Sequence, residues 1–405
     1  MPDRPPNRVA YPPPSSHTLV PVTPVELSRT VLHAVRRAVD EGELSVTVPE
    51  RAVVAPPGPG GCGDYATNIA LQLARAAGQP PRRVAEILRA RLLEQHGVSD
   101  VAVTGPGFLN LSLDGTASAD LVVEILSRGR RYGHAVSPSG TLVRLRCPAE
   151  VRAVVVADVV ARVRRSQGHF VRVHHDGPLD PEWTSVLGVD PDDLYEPSGL
   201  GDADDLSEPS RLVDVELDGS ETVRPLPAPA DPLPLGRDAA RWALLHPALH
   251  DRPRITREHL VQRETNPLFR VRYAHARTRA LLRNAADLGF RPEPGPIALP
   301  RNAADPTIRP VPDPAPLRES TAPTLLALLG DHPRVLVAAQ DAPDRLARHL
   351  VAVADATLPL LPAVLPLGEE KPSAAHRARL ALAEAAGTVL AGGLSLLGID
   401  APEHL

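Results

Sequence analysis

The spacing of apolar residues in the first third of the chain predicts a small α+β module. Leu27, Val31, Leu32 and Val35 recur at helical spacing after a Thr-Pro-x-Glu start that suits a helix N-terminus. The stretch "GDYATNIALQLARAAGQPPRRVAEILRARL", residues 63–92, predicts two further helices separated at Gly78–Pro81. Alternating residues in "LSVTVPE" and "VSDVAVTGPGFLNLSL" predict strands. Residues 25–114 are therefore expected to pack helices on a short antiparallel sheet.

After residue 140, the apolar pattern first predicts both strands and a helix and then predicts helices alone. The segments "TLVRLR", "AEVRAVVVADVVARVRRSQ" and "HFVRVHHD" predict a β-α-β unit within residues 140–234. Long helical patterns then dominate residues 235–405, which predicts an all-α bundle. The sequence thus predicts three structured parts of different class.

Proline marks the segments between these parts. The 47 prolines are well above the usual share of roughly 5%. Their clusters predict a disordered tail at residues 1–24 and a mobile loop at residues 292–322. The acid-rich "GVDPDDLYEPSGLGDADDLSEP", residues 188–209, is typical of a flexible loop.

Composition then narrows the class of function. A formal net charge of -5 disfavours a uniformly basic nucleic-acid coat, so RNA contacts would come from local arginine patches. Cys62 and Cys147 lack the spacing of a disulfide framework or a zinc site, which fits a reducing cytoplasm. The longest apolar stretch, residues 350–367, contains Asp355 and three prolines, and no signal peptide is recognised. We therefore expect a cytoplasmic protein without a membrane or DNA partner.

Two quoted motifs carry a family resemblance at the N-terminal end. "GDYATNIALQLARAAGQPPRRVAEILRARL", followed by "GPGFLNLSL", resembles the N-terminal module of bacterial arginyl-tRNA synthetases. The resemblance implies that this module docks on the elbow of a tRNA, with Asp64, Tyr65 and Asn68 as candidate contacts. The alternative interpretation of these three residues is a helix-start turn in which side chains satisfy backbone donors.

A second resemblance lies in residues 266–290. "NPLFRVRYAHARTRALLRNAADLGF" is similar to the helix that opens the DALR-type anticodon-binding bundle of the same family. The resemblance implies an α+β N-terminal module, a truncated Rossmann-like α/β middle and an all-α DALR-like bundle. Candidate RNA contacts in this helix are Arg270, Arg272, Tyr273, Arg277, Arg279 and Arg283.

The arginines of this segment outnumber its acids seven to two between residues 262 and 291. Arg272, Arg279 and Arg283 are spaced seven and four apart, so they share one face of a helix. That arrangement suits a track for RNA phosphates. An ordinary solvated face is the alternative.

Both catalytic signatures of the family are missing from the sequence. Where the family places His-x-Gly-His, after Cys147 and Pro148, the chain has "AEVRAVVVA". Glu150 and Arg152 are expected there as solvated positions on an amphipathic helix. The single methionine is Met1 and the single lysine is Lys371, so no Lys-Met-Ser-Lys loop exists. We expect no catalytic residue, no cofactor and no metal; adjacent His174 and His175 would point to opposite faces of a strand.

Three hypotheses remain open. The chain could be a synthetase-like protein that binds tRNA or another structured RNA without aminoacylating it, similar to synthetase-related anticodon-binding proteins. It could be a divergent arginine-tRNA ligase that uses ATP and arginine. It could also be a protein-interaction module derived from a synthetase and paired with a true synthetase.

Overall fold

The computed structural model describes residues 24–55, 57, 63–95, 97–113, 115–189, 220–297 and 321–405. The predicted tail up to residue 23, most of the acidic loop and residues 298–320 of the Pro-rich loop lie outside these ranges. The helices are α1 Pro24–Asp40, α2 Ile69–Ala77, α3 Pro81–Leu93, α4 Gly115–Arg128, α5 Val151–Ser166, α6 Pro181–Leu187, α7 Gly236–Leu245, α8 Pro267–Asp287, α9 Thr321–Ala339, α10 Pro343–Thr357 and α11 Ala374–Leu396. The strands are β1 Val54–Ala55, β2 Tyr65–Thr67, β3 Val98–Thr104, β4 Phe108–Leu113, β5 Leu142–Pro148, β6 Phe170–Asp176 and β7 Glu221–Thr222.

The N-terminal module is the predicted α+β unit. Its sheet has the antiparallel order β1-β2-β4-β3, and α1, α2 and α3 pack on it around one apolar cluster. The break between α2 and α3 lies where the sequence predicts it. Gly78 ends α2 in the left-handed conformation, with φ 61°, and Pro81 occupies the first turn of α3.

One local prediction in this module is wrong, and one alternative holds only in part. Residues 44–50, predicted as a strand, join no ladder; their alternation reflects burial of Leu44 beneath α1 without a neighbouring strand edge. The helix-start turn, which is the alternative interpretation of Asp64, Tyr65 and Asn68, is present only in part: Asn68 directly precedes α2, whereas Tyr65 lies in strand β2. This strand exists because it pairs with β4, Tyr65 opposite Leu111, a contact that short-range patterns do not encode.

The middle part keeps a parallel β-α-β core of small size. Strands β5 and β6 pair in parallel from Leu142↔Phe170 to Pro148↔Asp176, connected by α5. The short β7 adds a third strand, giving the order β6-β5-β7. Nearly every residue of α5 is buried, because the sheet, α7 and the bundle surround it. This sheet has about half the strands of a doubly wound nucleotide-binding domain.

The C-terminal part is the predicted helical bundle, in which α8 packs against α10 and α11 and α9 packs against α10. Helices α8 and α11 approach each other closely, since a Cβ at Gly387 of α11 would overlap the Thr278 hydroxyl of α8. Helix α4, which the sequence analysis leaves without a domain, packs on α11. Buried residues from α4 through the chain end form one continuous cluster, so the middle and the bundle share a core. In the portion of the chain that the structure describes, no helix has the length and apolar character to cross a membrane.

Candidate RNA interface

Helix α8 carries most of the candidate RNA contacts, and its start is fixed by Asn266. The Asn266 side chain accepts a hydrogen bond from Leu268 N at 3.1 Å and donates to the carbonyls of His259 and Val261, each at 2.9 Å. Pro267 occupies the first helical position. The N-terminal end of α8 is therefore held against the preceding connection before any ligand is present.

The candidate residues of α8 fall into two stripes. Arg270, Tyr273 and Arg277 lie on one line along the helix, which we call the Tyr273 stripe. Arg272, Arg279 and Arg283 lie on another line, the acid-paired stripe, roughly 130° away around the helix at 100° per residue. The two stripes also contact different acids: Asp355 lies against the first, and Asp238 and Glu403 lie against the second.

Every arginine of the acid-paired stripe has a carboxylate against it. Arg272 pairs with Asp238 at 3.4 Å. Arg279 and Arg283 both pair with Glu403, at 2.9 Å and 3.9 Å. The final residues of the sequence thus lie along this stripe and neutralise part of its charge. The three arginines lie in a row on one face of α8, as predicted for a phosphate track, but carboxylates of the same chain already pair with them.

The Tyr273 stripe presents an aromatic platform with a cation. The Phe269 and Tyr273 rings stack with centroids 5.5 Å apart and planes 18° apart, and Arg277 lies over the Tyr273 ring at 5.9 Å. Tyr273 is 37% exposed. Arg270 pairs with Asp355 at 3.4 Å, whereas Arg277 is exposed and forms no ion pair among the described residues. This stripe offers a partly exposed aromatic ring and a guanidinium without an ion pair in the described residues, groups of the kind that bind bases and phosphates.

The N-terminal candidates are placed differently from one another. Tyr65 is 3% exposed within the module's core, and burial raises the pKa of its phenol. Tyr65 is therefore a packing residue, and its assignment as an RNA contact is corrected. Asp64 donates its backbone N–H to Leu111 O at 2.8 Å and is half-buried. Asn68 directly precedes α2, and its side chain accepts a hydrogen bond from Gln72 at 2.9 Å.

The position of the missing histidine signature contains a structural arginine. Arg152 is 0% exposed, which corrects the expectation of a solvated residue; Glu150 is exposed as expected. The Arg152 guanidinium donates all five of its N–H groups to backbone carbonyls, those of Leu226, Leu244, Pro247, Ala248 and Asp251, at 2.7–3.2 Å. No donor of this guanidinium is left for a phosphate.

A second buried arginine, Arg241 on α7, joins three elements. It contacts Asp158 of α5 at 2.5 Å and donates to Leu187 O at 3.0 Å and Leu397 O at 2.8 Å. Desolvation lowers the pKa of Arg241, and the Asp158 carboxylate acts in the opposite direction. Sequence reasoning missed both arginines, because a buried guanidinium is rare and its partners are distant in the chain.

The carboxyl edge of the parallel sheet, where α/β folds bind ligands, holds few reactive groups. Arg146 of β5 pairs with Asp176 of β6 at 2.5 Å. An open depression of about 590 Å³ beside them is lined by His174, His175 and Ser185, among others. Within the described ranges no group of three His, Cys, Asp or Glu residues is arranged to hold a metal ion.

His275, on α8, is a packed residue. It is buried, its Nδ1 lies 3.0 Å from Pro402 O, and burial lowers its pKa. It thereby helps to hold the final residues of the sequence against α8.

Comparison with known families identifies the two ends of the chain. Residues 26–113 match the arginyl tRNA synthetase N terminal domain, and residues 271–405 match the DALR anticodon binding domain. Together these matches cover more than half of the chain and both surfaces described above. The chain belongs to the arginyl-tRNA synthetase family.

Individual relatives agree with the family assignment, but their alignments with this chain cover only part of each enzyme. The arginine–tRNA ligase of Frankia alni is 40% identical over 160 residues, which are 37% of this chain and 29% of that enzyme. The corresponding ligase of Kineococcus radiotolerans is 34% identical over 198 residues, 44% of this chain and 36% of the enzyme. The alignments thus span about a third of these relatives.

Two solved structures share the fold. The arginyl-tRNA synthetase of Thermus thermophilus superposes with a TM-score of 0.57 at 16% identity, covering 95% of this chain and 100% of that one. The arginyl-tRNA synthetase of Plasmodium falciparum gives 0.62 at 10% identity, covering 94% and 99%. At these identities the likeness concerns the fold alone.

Proposed function

We propose that this protein binds tRNA through the surfaces its family uses for that purpose and does not attach arginine to it. The observation that carries the proposal is the contrast between α8, which offers an exposed Tyr273 and Arg277, and α5, whose signature position is occupied by a fully engaged Arg152. A synthetase needs donors free to stabilise the charge on the transferring phosphate. Arg152 has none free.

The Tyr273 stripe is the proposed RNA contact on the bundle. A base that took the place of Arg277 over the Tyr273 ring would extend the existing Phe269–Tyr273 stack, and stacking of this kind is worth about 1–3 kcal/mol per base. Arg277 would meet a neighbouring phosphate. Asp64 and Asn68 remain the proposed contacts on the N-terminal module, now without Tyr65.

The acid-paired stripe is a weaker contact under this proposal. A phosphate approaching Arg279 or Arg283 must first displace Glu403, so part of the attraction is offset. The stripe therefore contributes to the salt dependence of binding less than three free arginines would.

Binding of bulk tRNA at several salt concentrations tests the proposal. Affinity is expected to fall linearly with the logarithm of salt concentration, because each phosphate contact releases condensed counterions. An unrelated double-stranded DNA of equal length serves as the control and is expected to bind more weakly. Equal retention of both, or no retention of tRNA, would favour the protein-interaction hypothesis.

A further inference from the structure

A basic cleft lies between α7, α10 and the connection from α7 to α8. It has a volume of about 480 Å³. Its charged lining consists of Arg252, Arg254 and Arg348, with His246, His259 and the carboxylate of Asp251. No part of this cleft belongs to either stripe of α8.

The cleft has more positive than negative groups free to act on a ligand. Arg252 and Arg254 are exposed and form no ion pair within the described parts of the chain. Arg348 shares the buried Asp344 carboxylate at 3.3 Å. Asp251 lies 3.8 Å from the exposed His250. Two guanidiniums are thus uncompensated at the mouth of the cleft.

The walls of the cleft are fixed from behind. Arg152 holds the carbonyls of Pro247 and Asp251 from inside the core. His259 Nε2 lies 2.8 Å from Arg254 O, so this contact holds together the wall that is formed by the connection from α7 to α8. A site whose backbone is already held in place loses less entropy on binding.

His246 also lines the cleft. Its ring stacks on Trp242, with centroids 5.2 Å apart and planes 26° apart. Burial lowers the pKa of His246, and Arg348, His259 and Arg270 lower it further against the opposing effect of Asp344. Groups of α8, α10 and the connecting segment therefore act on the one imidazole of His246.

We propose that this basic cleft binds a phosphate group. This inference rests on the proposed function, because the phosphate group is taken to be a backbone phosphate of the RNA that contacts the Tyr273 stripe. The spacing supports this path: Arg348 and Asp355, the partner of Arg270, are seven residues apart on α10, roughly 10 Å along the helix. A small phosphate ester has the same chemistry and is the alternative source.

Trp242 provides a direct readout of the cleft. The chain has two tryptophans, so Trp183→Phe leaves Trp242 as the single reporter. A protonated imidazole quenches a stacked indole, and an anion beside His246 raises the pKa of that imidazole. Inorganic phosphate, compared with sodium chloride at equal ionic strength, is expected to move the pH midpoint of the Trp242 emission upward by about half a unit or more.

The paired variant Arg252→Gln and Arg254→Gln in the same background is expected to abolish that shift. The control Arg291→Gln and Arg377→Gln, which removes the same charge at the far end of α8, is expected to keep it. The phosphate proposal is overturned if inorganic phosphate changes neither the pH midpoint of the Trp242 emission nor the Tm of the protein. It is also overturned if phosphate moves the midpoint of the cleft variant as much as that of the parent.

Salt-dependent tRNA binding by the same variants identifies the source of the phosphate. The cleft variant is expected to flatten the salt slope by up to about two units relative to the control. An unchanged slope with a retained phosphate shift would assign the cleft to a small phosphate ester and overturn the RNA path. A parent protein that binds no tRNA refutes the proposed function, whereas the Trp242 titration still decides the cleft.

Discussion

The middle region and helix α8 use arginine in opposite ways. In the middle, Arg152 and Arg241 are each 0% exposed and direct their donors to carbonyls and to one carboxylate. On α8, Arg277 is exposed over an aromatic ring. A buried guanidinium is tolerated only when its donors are satisfied, and a satisfied guanidinium cannot also bind phosphate. The arginines of the middle region therefore stabilise the fold, whereas Arg277 on α8 remains accessible to a ligand.

The largest effect is expected when the buried arrangement is broken. Arg152→Met leaves five backbone carbonyls without their donor, and we expect it to lower the free energy of unfolding by at least about 3 kcal/mol. Urea denaturation followed by circular dichroism measures this. Arg345→Met, on the exposed side of α10, is the control and should leave the transition near that of the parent. A parent-like transition in Arg152→Met would contradict the structural role.

Acid should also destabilise the buried core. His332 stacks between Tyr132 and His349, and burial lowers the pKa of His332 and that of His349, the latter to about 4. Burial also lowers the pKa of His134 to about 4. The unfolded chain takes up protons near pH 6.5 and the folded chain does not, so stability is lost as the pH falls from about 6.5 towards 4.

The Tm measured at half-unit pH steps checks this. The variant His349→Gln, which cannot take up that proton, should show a shallower acid slope than the parent. An identical slope would exclude His349 as a source of the effect.

Removing the platform on α8 should affect RNA binding without affecting the fold. Tyr273→Ala is expected to weaken tRNA binding by about 1–3 kcal/mol, and Arg277→Gln to flatten the salt slope by about one unit. Arg279→Gln, on the acid-paired stripe, is the matched comparison and should change the slope less. A larger effect from Arg279→Gln would reverse the assignment of the two stripes.

The smallest effect is expected from the acid that covers the second stripe. Glu403→Gln removes the carboxylate shared by Arg279 and Arg283, so tRNA should bind more tightly and with a salt slope that is steeper by less than about one unit. Glu293→Gln, which breaks the exposed pair with Arg377 elsewhere, controls for the change in net charge. Unchanged RNA binding in Glu403→Gln would mean that phosphates do not reach this stripe.

Local patterns in the sequence predicted helices α1 to α3, strands β3 and β4 and the β-α-β unit, because each of these segments has its own periodic apolar pattern. The same patterns could have separated the two stripes of α8, since 100° per residue suffices to place Tyr273 apart from Arg279. The missed features depend on distant contacts. Arg152 is buried because carbonyls 74 to 99 residues away surround it, and Tyr65 is buried because its strand pairs with β4.

The pairing of α8 with acids is equally non-local. Glu403 lies 124 residues after Arg279 and reaches it because His275 and Pro402 hold the final residues of the sequence on the helix. A count of arginines along α8 therefore overstates the charge that a ligand meets.

We propose that the middle region of this chain serves structure and not phosphate chemistry, and the decisive measurement for this proposal is arginine-dependent ATP–pyrophosphate exchange. The purified full chain, with and without bulk tRNA, is expected to show exchange no higher than a heat-inactivated sample, because Arg152 has no donor free for the transferring phosphate. Exchange that depends on arginine and clearly exceeds the heat-inactivated control would contradict the account and establish a divergent arginine–tRNA ligase.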